Sequence, residues 1–167
     1  MNMGMKTKGK YDFMAKEIER KFLVTDIEAV RQAAVKSYPI RQAYLSDNPD
    51  ATVRIRIKGE KAYLTVKWRN RGAVRDEWEY EIPVEEATEM ADKLCGGFAI
   101  DKTRYIVPLG DLLWEIDEFH GRHQGLILAE VELPTEKTEI SSLPSFIAAE
   151  VTSDPRYYNS TLARALS

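Results

Sequence analysis

Residues 52–68 read TVRIRIKGEKAYLTVKW. Apolar and polar side chains alternate along both halves of this segment, and a period of two residues is typical of a β-strand with two different faces. The middle of the segment, Lys58-Gly59-Glu60-Lys61, has the composition of a tight turn. The segment therefore predicts a β-hairpin with one apolar face and an opposite face that carries Arg54, Arg56 and Lys67.

The same alternation recurs along the chain and predicts eight strands. Turn-forming residues such as Asn70-Arg71-Gly72 separate most of them. The predicted strands are residues 15–24, 41–46, 52–58, 62–68, 74–82, 99–108, 112–119 and 126–133. Short connections between consecutive strands favour antiparallel pairing, and closing the sheet into a barrel leaves no exposed edge.

Helical patterns interrupt this series of strands. Thr25-Asp26-Ile27-Glu28 is a capping-box signature for the first helix, and Gly96-Gly97 is a suitable C-cap for the second. The predicted helices cover residues 25–36, 84–94 and 143–151 and the residues from Pro155 onward. Together these elements predict an α+β fold, in which an eight-stranded antiparallel β-barrel has its helices packed outside.

Length and composition indicate one globular domain. The 167 residues include 44% apolar and 31% charged side chains, which suits a single domain with a sizeable core. We predict a disordered leader over residues 1–14, without a secretion signal, and one barrel domain over residues 15–167. Apolar runs are short and the net charge is −3, so no membrane or nucleic-acid partner is expected. The single cysteine, Cys95, excludes an internal disulfide and suits the cytoplasm.

The charged faces of the predicted strands are sorted by the sign of their charge. Carboxylates dominate the first, fifth, seventh and eighth strands, whereas cations dominate the third, fourth and sixth. One interpretation is an ordinary antiparallel sheet whose charged face lies in solvent. The other is a barrel whose apolar faces are covered by helices, so that the charges line the interior. We favour the second, because like charges crowded on one face repel unless a bound cation and a bound polyanion compensate them.

This distribution of charges favours metal-assisted phosphate chemistry. Carboxylate clusters without Cys or His prefer hard divalent ions such as Mg²⁺ or Mn²⁺, and rows of Arg and Lys bind phosphate oxygens. His120 and His123 are too few and too close in sequence to form a His-based metal site. The sequence contains no Gly-rich phosphate-binding loop of the Walker type, so a P-loop mechanism is not supported.

Seven short motifs follow one another along the predicted strands. They are Glu17-Ile18-Glu19-Arg20-Lys21, Arg54-Ile55-Arg56, Thr65-Val66-Lys67, Glu77-Trp78-Glu79-Tyr80-Glu81, Lys102-Thr103-Arg104-Tyr105, Trp114-Glu115-Ile116-Asp117 and Glu130-Val131-Glu132. The first motif matches the ExExK signature, and the whole set in this order resembles the CYTH domain, the family of the triphosphate tunnel metalloenzymes. Residues 17–24 are most similar to the bacterial inorganic triphosphatase branch, and residues 150–159 resemble the C-terminal block of its short members.

The resemblance implies a tunnel that binds a divalent metal, Mg²⁺ or Mn²⁺, and a small molecule that contains a triphosphate. The implied metal ligands are Glu17, Glu19, Glu115, Asp117, Glu130 and Glu132. The residues implied to bind phosphate are Lys21, Arg54, Arg56, Lys67, Arg75, Lys102, Arg104 and Arg156. Catalysis is expected to depend on Glu19, Lys21, Arg54, Lys67 and Glu132.

Other side chains on the same strands have less specific expected roles. Glu77, Glu79 and Glu81 are expected to pair with interior cations, to position water or to support the metal. Tyr44 is expected either to orient a lysine or phosphate group or to pack in the core or at the rim. The three tryptophans lie on apolar faces and are expected to pack between barrel and helices.

Three functional hypotheses follow. The leading one is a divalent-metal-dependent phosphohydrolase that converts inorganic tripolyphosphate to pyrophosphate and phosphate. Alternatives in the same class are a nucleoside or thiamine triphosphatase and a class IV adenylate cyclase, and the alternative from another class is a non-catalytic polyphosphate-binding module. Six carboxylates beside an anion oppose its binding unless metal is present, which argues against the module. Helix surfaces leave room for a homodimer, but no feature of the sequence specifies one.

Overall fold

A computed structural model of the chain describes residues 16–46, 48, 50–69, 71–94 and 99–164. These residues contain nine β-strands and three α-helices. The elements are β1 Lys16–Val24, α1 Ile27–Ala33, β2 Lys36–Tyr44, β3 Ala51–Lys58, β4 Lys61–Trp68, β5 Val74–Ile82, α2 Val84–Leu94, β6 Ala99–Leu109, β7 Leu112–Phe119, β8 Ile127–Glu132, β9 Ile147–Glu150 and α3 Asn159–Arg164. The predictions for a leader over residues 1–14, for Cys95 and for the cap at Gly96-Gly97 fall outside the described residues.

All strand pairs are antiparallel, and the sheet runs in the order β5-β4-β3-β2-β6-β7-β8-β1-β9. The sheet closes because residues 16–18 of β1 also pair with residues 74–76 of β5. The short strand β9 pairs with the other end of β1 as a ninth strand. The predicted α+β fold, a closed eight-stranded antiparallel barrel with helices, is confirmed.

The hairpin predicted from residues 52–68 is confirmed as β3 and β4. The turn between the two strands contains two residues. Gly59 is the first of them and has a φ of 58°, which is left-handed backbone that glycine adopts most readily. A two-residue turn fixes the register of the hairpin, and this register places Arg54, Arg56 and Thr65 on the same face of the sheet.

The apolar faces of the strands are covered from outside by helices. Val30 of α1 packs in one cluster with Phe22 and Trp114, whose ring centroids are 5.5 Å apart. Ala87 of α2 packs in another cluster with Ile55. Burying a side chain such as Phe22 contributes roughly 2 kcal/mol to the free energy of unfolding. Because the outer face of the sheet is the apolar one, the opposite face of each strand points into the barrel.

Two of the three tryptophans do not pack as predicted. Trp114 is fully buried, whereas Trp68 and Trp78 are 38% and 40% exposed. Helix α2 packs against β2, β3 and β4, while Trp78 lies on β5 and Trp68 lies at the end of β4. The expectation that Trp68 and Trp78 fill a space between barrel and helices is therefore wrong.

The first helix is shorter, and the second strand longer, than the sequence predicts. Helix α1 ends at Ala33 rather than at residue 36, and β2 begins at Lys36 rather than at residue 41. Pro39 lies within β2, and proline disfavours a helical conformation of the residue before it. Pairing of β2 with β6 along residues 36–43 then stabilises the extended conformation.

The C-terminal region also differs from the prediction. Residues 147–150 form β9 on β1 instead of part of a helix over residues 143–151. Periodicity alone does not distinguish a short apolar strand from a helix, and here β1 provides the pairing partner. The helix predicted from Pro155 is divided into a 3₁₀ turn, Pro155–Tyr157, and α3, with extended backbone at Tyr158 between them. Within the described residues, no helix has the length and apolar character needed to cross a membrane.

Candidate functional site

Six charged side chains on five of the strands point into the barrel. Lys21, Arg54, Lys102, Arg104, Asp117 and Glu130 are each at most 8% exposed. Charged side chains are almost never buried to this extent unless they are paired, because leaving water costs several kcal/mol for each ion. The pairing of these interior charges therefore decides what the barrel can bind.

The most enclosed ion pairs join β6 and β7. Asp117 Oδ2 accepts from Lys102 Nζ at 2.6 Å, and the two Asp117 oxygens accept from Arg104 Nε at 2.7 Å and Nη2 at 2.8 Å. Burial acts to raise the pKa of Asp117, but Arg104 and Lys102 outweigh it and hold this pKa below its usual value. Burial lowers the pKa of Lys102 to about 8, although Asp117 opposes this effect. We call these three residues the β6–β7 cluster.

A second group of carboxylates converges from β1 and β8. Glu17 Oε2 accepts from Lys67 Nζ at 2.7 Å, and Glu130 Oε1 lies 3.2 Å from Lys21 Nζ. Burial, followed by the negative charges of Glu130 and Glu17, raises the pKa of Glu19 well above its usual value. The charge of Glu19 is thus only partly compensated by the surrounding cations. A hard divalent cation is the kind of ligand that stabilises such a group of oxygens.

The six carboxylates that the resemblance implies as metal ligands are distributed over two groups. In the described part of the chain, no three Asp, Glu, His or Cys side chains are arranged closely enough to hold a metal ion. Glu132 is exposed and lies opposite Glu19 across the β1–β8 ladder. The Glu115 side chain is 35% exposed and is paired with Arg104. Carboxylate oxygens are donors that suit Mg²⁺ or Mn²⁺, and Glu19 is a carboxylate on which two others, Glu130 and Glu17, act electrostatically.

The cations of β3 and β4 are held by carboxylates of β5. Glu79 Oε2 lies 3.1 Å from Arg56 Nη2 and 3.8 Å from Arg54 Nη2. Glu77 Oε2 lies 3.4 Å from Lys67 Nζ. Glu77 and Glu79 therefore pair with interior cations, which is one of the roles expected for them.

Two residues predicted to face the interior lie at its periphery. Glu81 pairs with Lys61 at 3.5 Å, and both side chains are about half exposed. Arg156 pairs with Asp154 at 2.6 Å, and its side chain is 79% exposed. The structure thus does not bring Arg156 to the other cations implied to bind phosphate.

A cavity of about 680 Å³, including its open mouth, lies among these groups. The strand residues that line it are Glu17, Glu19, Lys21, Tyr44, Thr52, Arg54, Lys67 and Arg75. Arg75 Nη2 donates to Thr52 Oγ1 at 2.7 Å, which holds its guanidinium at the cavity wall. A wall with four cations and two carboxylates suits an anion that binds together with a metal cation.

Residues 152–160 contribute contacts to the site that the sequence patterns do not indicate. The carbonyl oxygen of Tyr157 accepts from Lys21 Nζ at 3.0 Å, and Asn159 Oδ1 accepts from Lys102 Nζ at 3.3 Å. Asn159 also lines the cavity. In the sequence, only the similarity of residues 150–159 to a C-terminal block indicates this segment, because a backbone carbonyl and an isolated asparagine produce no alternation or charge signal.

Comparison with protein families decides the classification. The model of the CYTH domain matches residues 15–164 of the chain. The chain belongs to the CYTH domain family. The matched region of this CYTH protein includes all nine strands and the segment at residues 152–160.

This CYTH protein is similar to two bacterial proteins that are named inorganic triphosphatase. The protein of Acetivibrio thermocellus is 45% identical over 151 residues, which cover 90% of this chain and 95% of that protein. The protein of Nitrosomonas europaea is 37% identical over 153 residues, covering 90% and 98%. A crystal structure of an inorganic triphosphatase is 33% identical with a TM-score of 0.60, covering 88% of this CYTH chain and 93% of the other.

Proposed function

We propose that this protein hydrolyses inorganic tripolyphosphate to pyrophosphate and phosphate inside the barrel, with Mg²⁺ or Mn²⁺ as cofactor. The observation that carries the proposal is the cavity wall that combines Lys21, Arg54 and Lys67 with Glu17 and Glu19. Such cations bind phosphate oxygens, and such carboxylates bind a hard divalent ion. Relatives at 45% and 37% identity that are named inorganic triphosphatase support this substrate over a nucleotide.

Substrate binding is proposed to exchange ion pairs rather than to break them. In this structure Glu17 holds Lys67, and Glu130 holds Lys21. When Glu17 and Glu130 bind a divalent ion, both ammonium groups become available to phosphate oxygens. Because each buried charge keeps a partner of opposite sign, the exchange avoids the large cost of an unpaired buried ion.

We assign the metal first to Glu17, Glu19 and Glu130, because the negative charges of Glu17 and Glu130 act on Glu19. These three carboxylates must approach one another more closely than in this structure to share one ion. The remaining implied ligands, which are proposed to contact the metal through water, are Glu115, Asp117 and Glu132. A bound divalent ion supplies positive charge that polarises the phosphoryl oxygens of the substrate. The carboxylates that hold it are also proposed to orient the attacking water.

The interior cations of the chain are proposed to stabilise the charge that develops during hydrolysis. Lys21, Lys67 and Arg54 bind the oxygens of the terminal phosphoryl group and of the leaving pyrophosphate, where negative charge accumulates. Arg56 binds the substrate with Arg54, since a guanidinium can donate to two oxygens at once. Enclosure by the barrel strengthens each of these interactions, because water screens them less.

A substrate panel tests the proposal. Tripolyphosphate, ATP and thiamine triphosphate are supplied at equal concentration with Mg²⁺ or Mn²⁺, and the release of phosphate is measured. We expect tripolyphosphate to be hydrolysed fastest, and we expect no hydrolysis in EDTA. Faster hydrolysis of ATP or thiamine triphosphate would reassign the substrate, and formation of cyclic AMP would indicate a cyclase. Tight binding of tripolyphosphate without turnover under any metal would indicate a binding module.

Arg54→Ala is expected to raise the KM for tripolyphosphate by about 10–100-fold, because a charged hydrogen-bond donor to phosphate is lost. The Arg54 side chain is 8% exposed, so little water can replace it. Steady-state kinetics and calorimetric titration measure the effect. Arg41→Ala is the matched control, because Arg41 pairs with Asp92 of α2 at 3.0 Å outside the barrel. An unchanged KM for Arg54→Ala would remove Arg54 from the substrate site.

A further inference from the structure

Four buried side-chain polar atoms find no hydrogen-bond partner among the described residues. One is Trp114 Nε1 on the outer face of the sheet, and the other three lie on neighbouring strands that face the interior. They are Gln42 Oε1 on β2 and the Nε atoms of Arg54 and Arg56 on β3. Gln42 lies opposite Arg56 in the β2–β3 ladder, and Tyr44 lies opposite Arg54. Buried polar groups are nearly always paired in folded proteins, because an unpaired one costs free energy. Three unpaired atoms on one interior face indicate that a ligand completes their hydrogen bonds.

Gln42 is enclosed next to the cavity wall. The residue is 1% exposed, and its Nε2 lies 3.3 Å from Tyr44 Oη. Tyr44 lines the cavity together with Lys21 and Arg54. Residues 42 and 44 lie on the same face of β2, since side chains on a strand alternate with a period of two. The amide of Gln42 therefore lies beside the surface where phosphate is proposed to bind.

The amide orientation in this structure does not suit phosphate. The donor, Nε2, is directed at Tyr44, and the acceptor, Oε1, is left unpaired. Phosphate oxygens are acceptors, so they cannot form a hydrogen bond with Oε1. A half-turn about the terminal torsion of the glutamine exchanges the two atoms. Tyr44 accommodates both orientations, because a phenol hydroxyl can accept from Nε2 or donate to Oε1.

We propose that Gln42 is an uncharged phosphate-binding residue whose amide makes this half-turn on Tyr44 when a triphosphate enters the barrel. The inference rests on the proposed function, because it requires a polyphosphate in the interior. In the loaded state Gln42 Nε2 and the Nε atoms of Arg54 and Arg56 all donate to phosphate oxygens. The ligand thereby satisfies three atoms that have no hydrogen-bond partner among the described residues. An amide also adds a donor without adding to the repulsion among the interior cations.

Gln42→Met tests the proposal, because methionine is similar in length and volume but has no amide donor or acceptor. We expect the dissociation constant for tripolyphosphate in EDTA and the KM with Mg²⁺ each to rise by about tenfold, with a smaller change in kcat. The melting temperature of the ligand-free variant is expected to equal or exceed that of the wild type, because a buried unpaired oxygen is removed. Gln32→Met, on the exposed surface of α1, is the matched control and should change neither constant.

Gln42→Glu provides a second variant of nearly the same shape. At neutral pH a carboxylate can only accept hydrogen bonds, and its charge repels phosphate. We therefore expect a larger loss of tripolyphosphate binding in Gln42→Glu than in Gln42→Met. Binding by Gln42→Glu at the wild-type level would overturn the donor role of residue 42.

The half-turn also has a spectroscopic signature. In ¹⁵N-labelled protein, the side-chain amide signals of Gln42 are those that disappear in Gln42→Met. We expect these signals to shift when tripolyphosphate is added to the wild type in EDTA, and to shift less in Tyr44→Phe, which lacks the hydroxyl partner. Unmoved signals at saturating tripolyphosphate would overturn the proposal.

The outcomes separate this inference from the proposed function. If the wild type hydrolyses tripolyphosphate while Gln42→Met keeps the wild-type KM and dissociation constant, the inference is overturned and the function stands. A lower melting temperature as the only change in Gln42→Met would likewise overturn it, by assigning Gln42 to packing alone. A wild type that neither binds nor hydrolyses tripolyphosphate would overturn the function and the inference together.

Discussion

Glu19→Gln is expected to lower the kcat for tripolyphosphate by at least about a hundredfold, since even the outer partners of metal ligands contribute about 10–100-fold. The same substitution is expected to stabilise the metal-free protein by on the order of 1 kcal/mol. Burial and the charges of Glu130 and Glu17 raise the pKa of Glu19, so its carboxylate opposes folding when no cation is bound. Glutamine has the same shape without the charge.

Steady-state kinetics with Mg²⁺ and urea unfolding in EDTA, both at pH 7, measure the two effects of Glu19→Gln. Glu60→Gln is the matched control, because it removes the same charge from the exposed β3–β4 turn. Full activity of Glu19→Gln would exclude Glu19 from the catalytic site. A lower metal-free stability would show that the Glu19 carboxylate makes an interaction stronger than its repulsion from Glu17 and Glu130.

Asp117→Asn is expected to have the opposite effect on stability and to destabilise the metal-free protein by about 3–5 kcal/mol. Asp117 is 1% exposed and pairs with both Lys102 and Arg104, so its loss leaves two buried cations with less compensation. Urea unfolding in EDTA measures the change. Glu115→Gln removes another partner of Arg104, but the Glu115 side chain is 35% exposed and solvent screens the pair, so the loss should be much smaller. Equal losses for the two variants would contradict this account.

The Asp117 carboxylate should also determine part of the acid sensitivity of the fold. Its pKa in the folded protein lies below the usual value of 3.8. The ionised group therefore stabilises the fold above pH 3.8, and this contribution is lost as the pH falls through the lower folded-state pKa. As the pH falls below 3.8, the free energy of unfolding of the wild type should therefore decrease more steeply than that of Asp117→Asn. Parallel stability curves would contradict the prediction.

Several features of this fold could be predicted because local chemistry determines them. The turn at Gly59 fixes the register of the β3–β4 hairpin, and the register fixes which side chains share a face. The period of two residues then assigns Arg54 and Lys67 to one face and Ile55 to the other. Once the outer face is known to be the apolar one, the interior position of most charged residues follows from the sequence.

Features that depend on distant partners could not be predicted in this way. Residues 147–150 form a strand only because β1 offers a pairing partner more than 120 residues away. Trp78 follows the apolar alternation, yet α2 lies across other strands and leaves this residue exposed. Alternation places Gln42 on the same face as Tyr44, but only the folded structure shows that its amide oxygen is unpaired. The contact of Asn159 with Lys102 likewise joins segments that no periodicity relates.

The position of β1 between β8, β9 and β5 has a consequence for folding kinetics. Arg20 of β1 binds Glu150 across 130 residues of sequence, and such non-local contacts give a chain a high contact order. Folding is expected to be slow, because the entropy of closing these long loops is lost before the contacts form. The carboxylate of Glu17 on β1 meets Lys67 of β4 only in the closed ring. We therefore expect hydrolytic activity to return only in the last structural phase of refolding and not in any earlier phase.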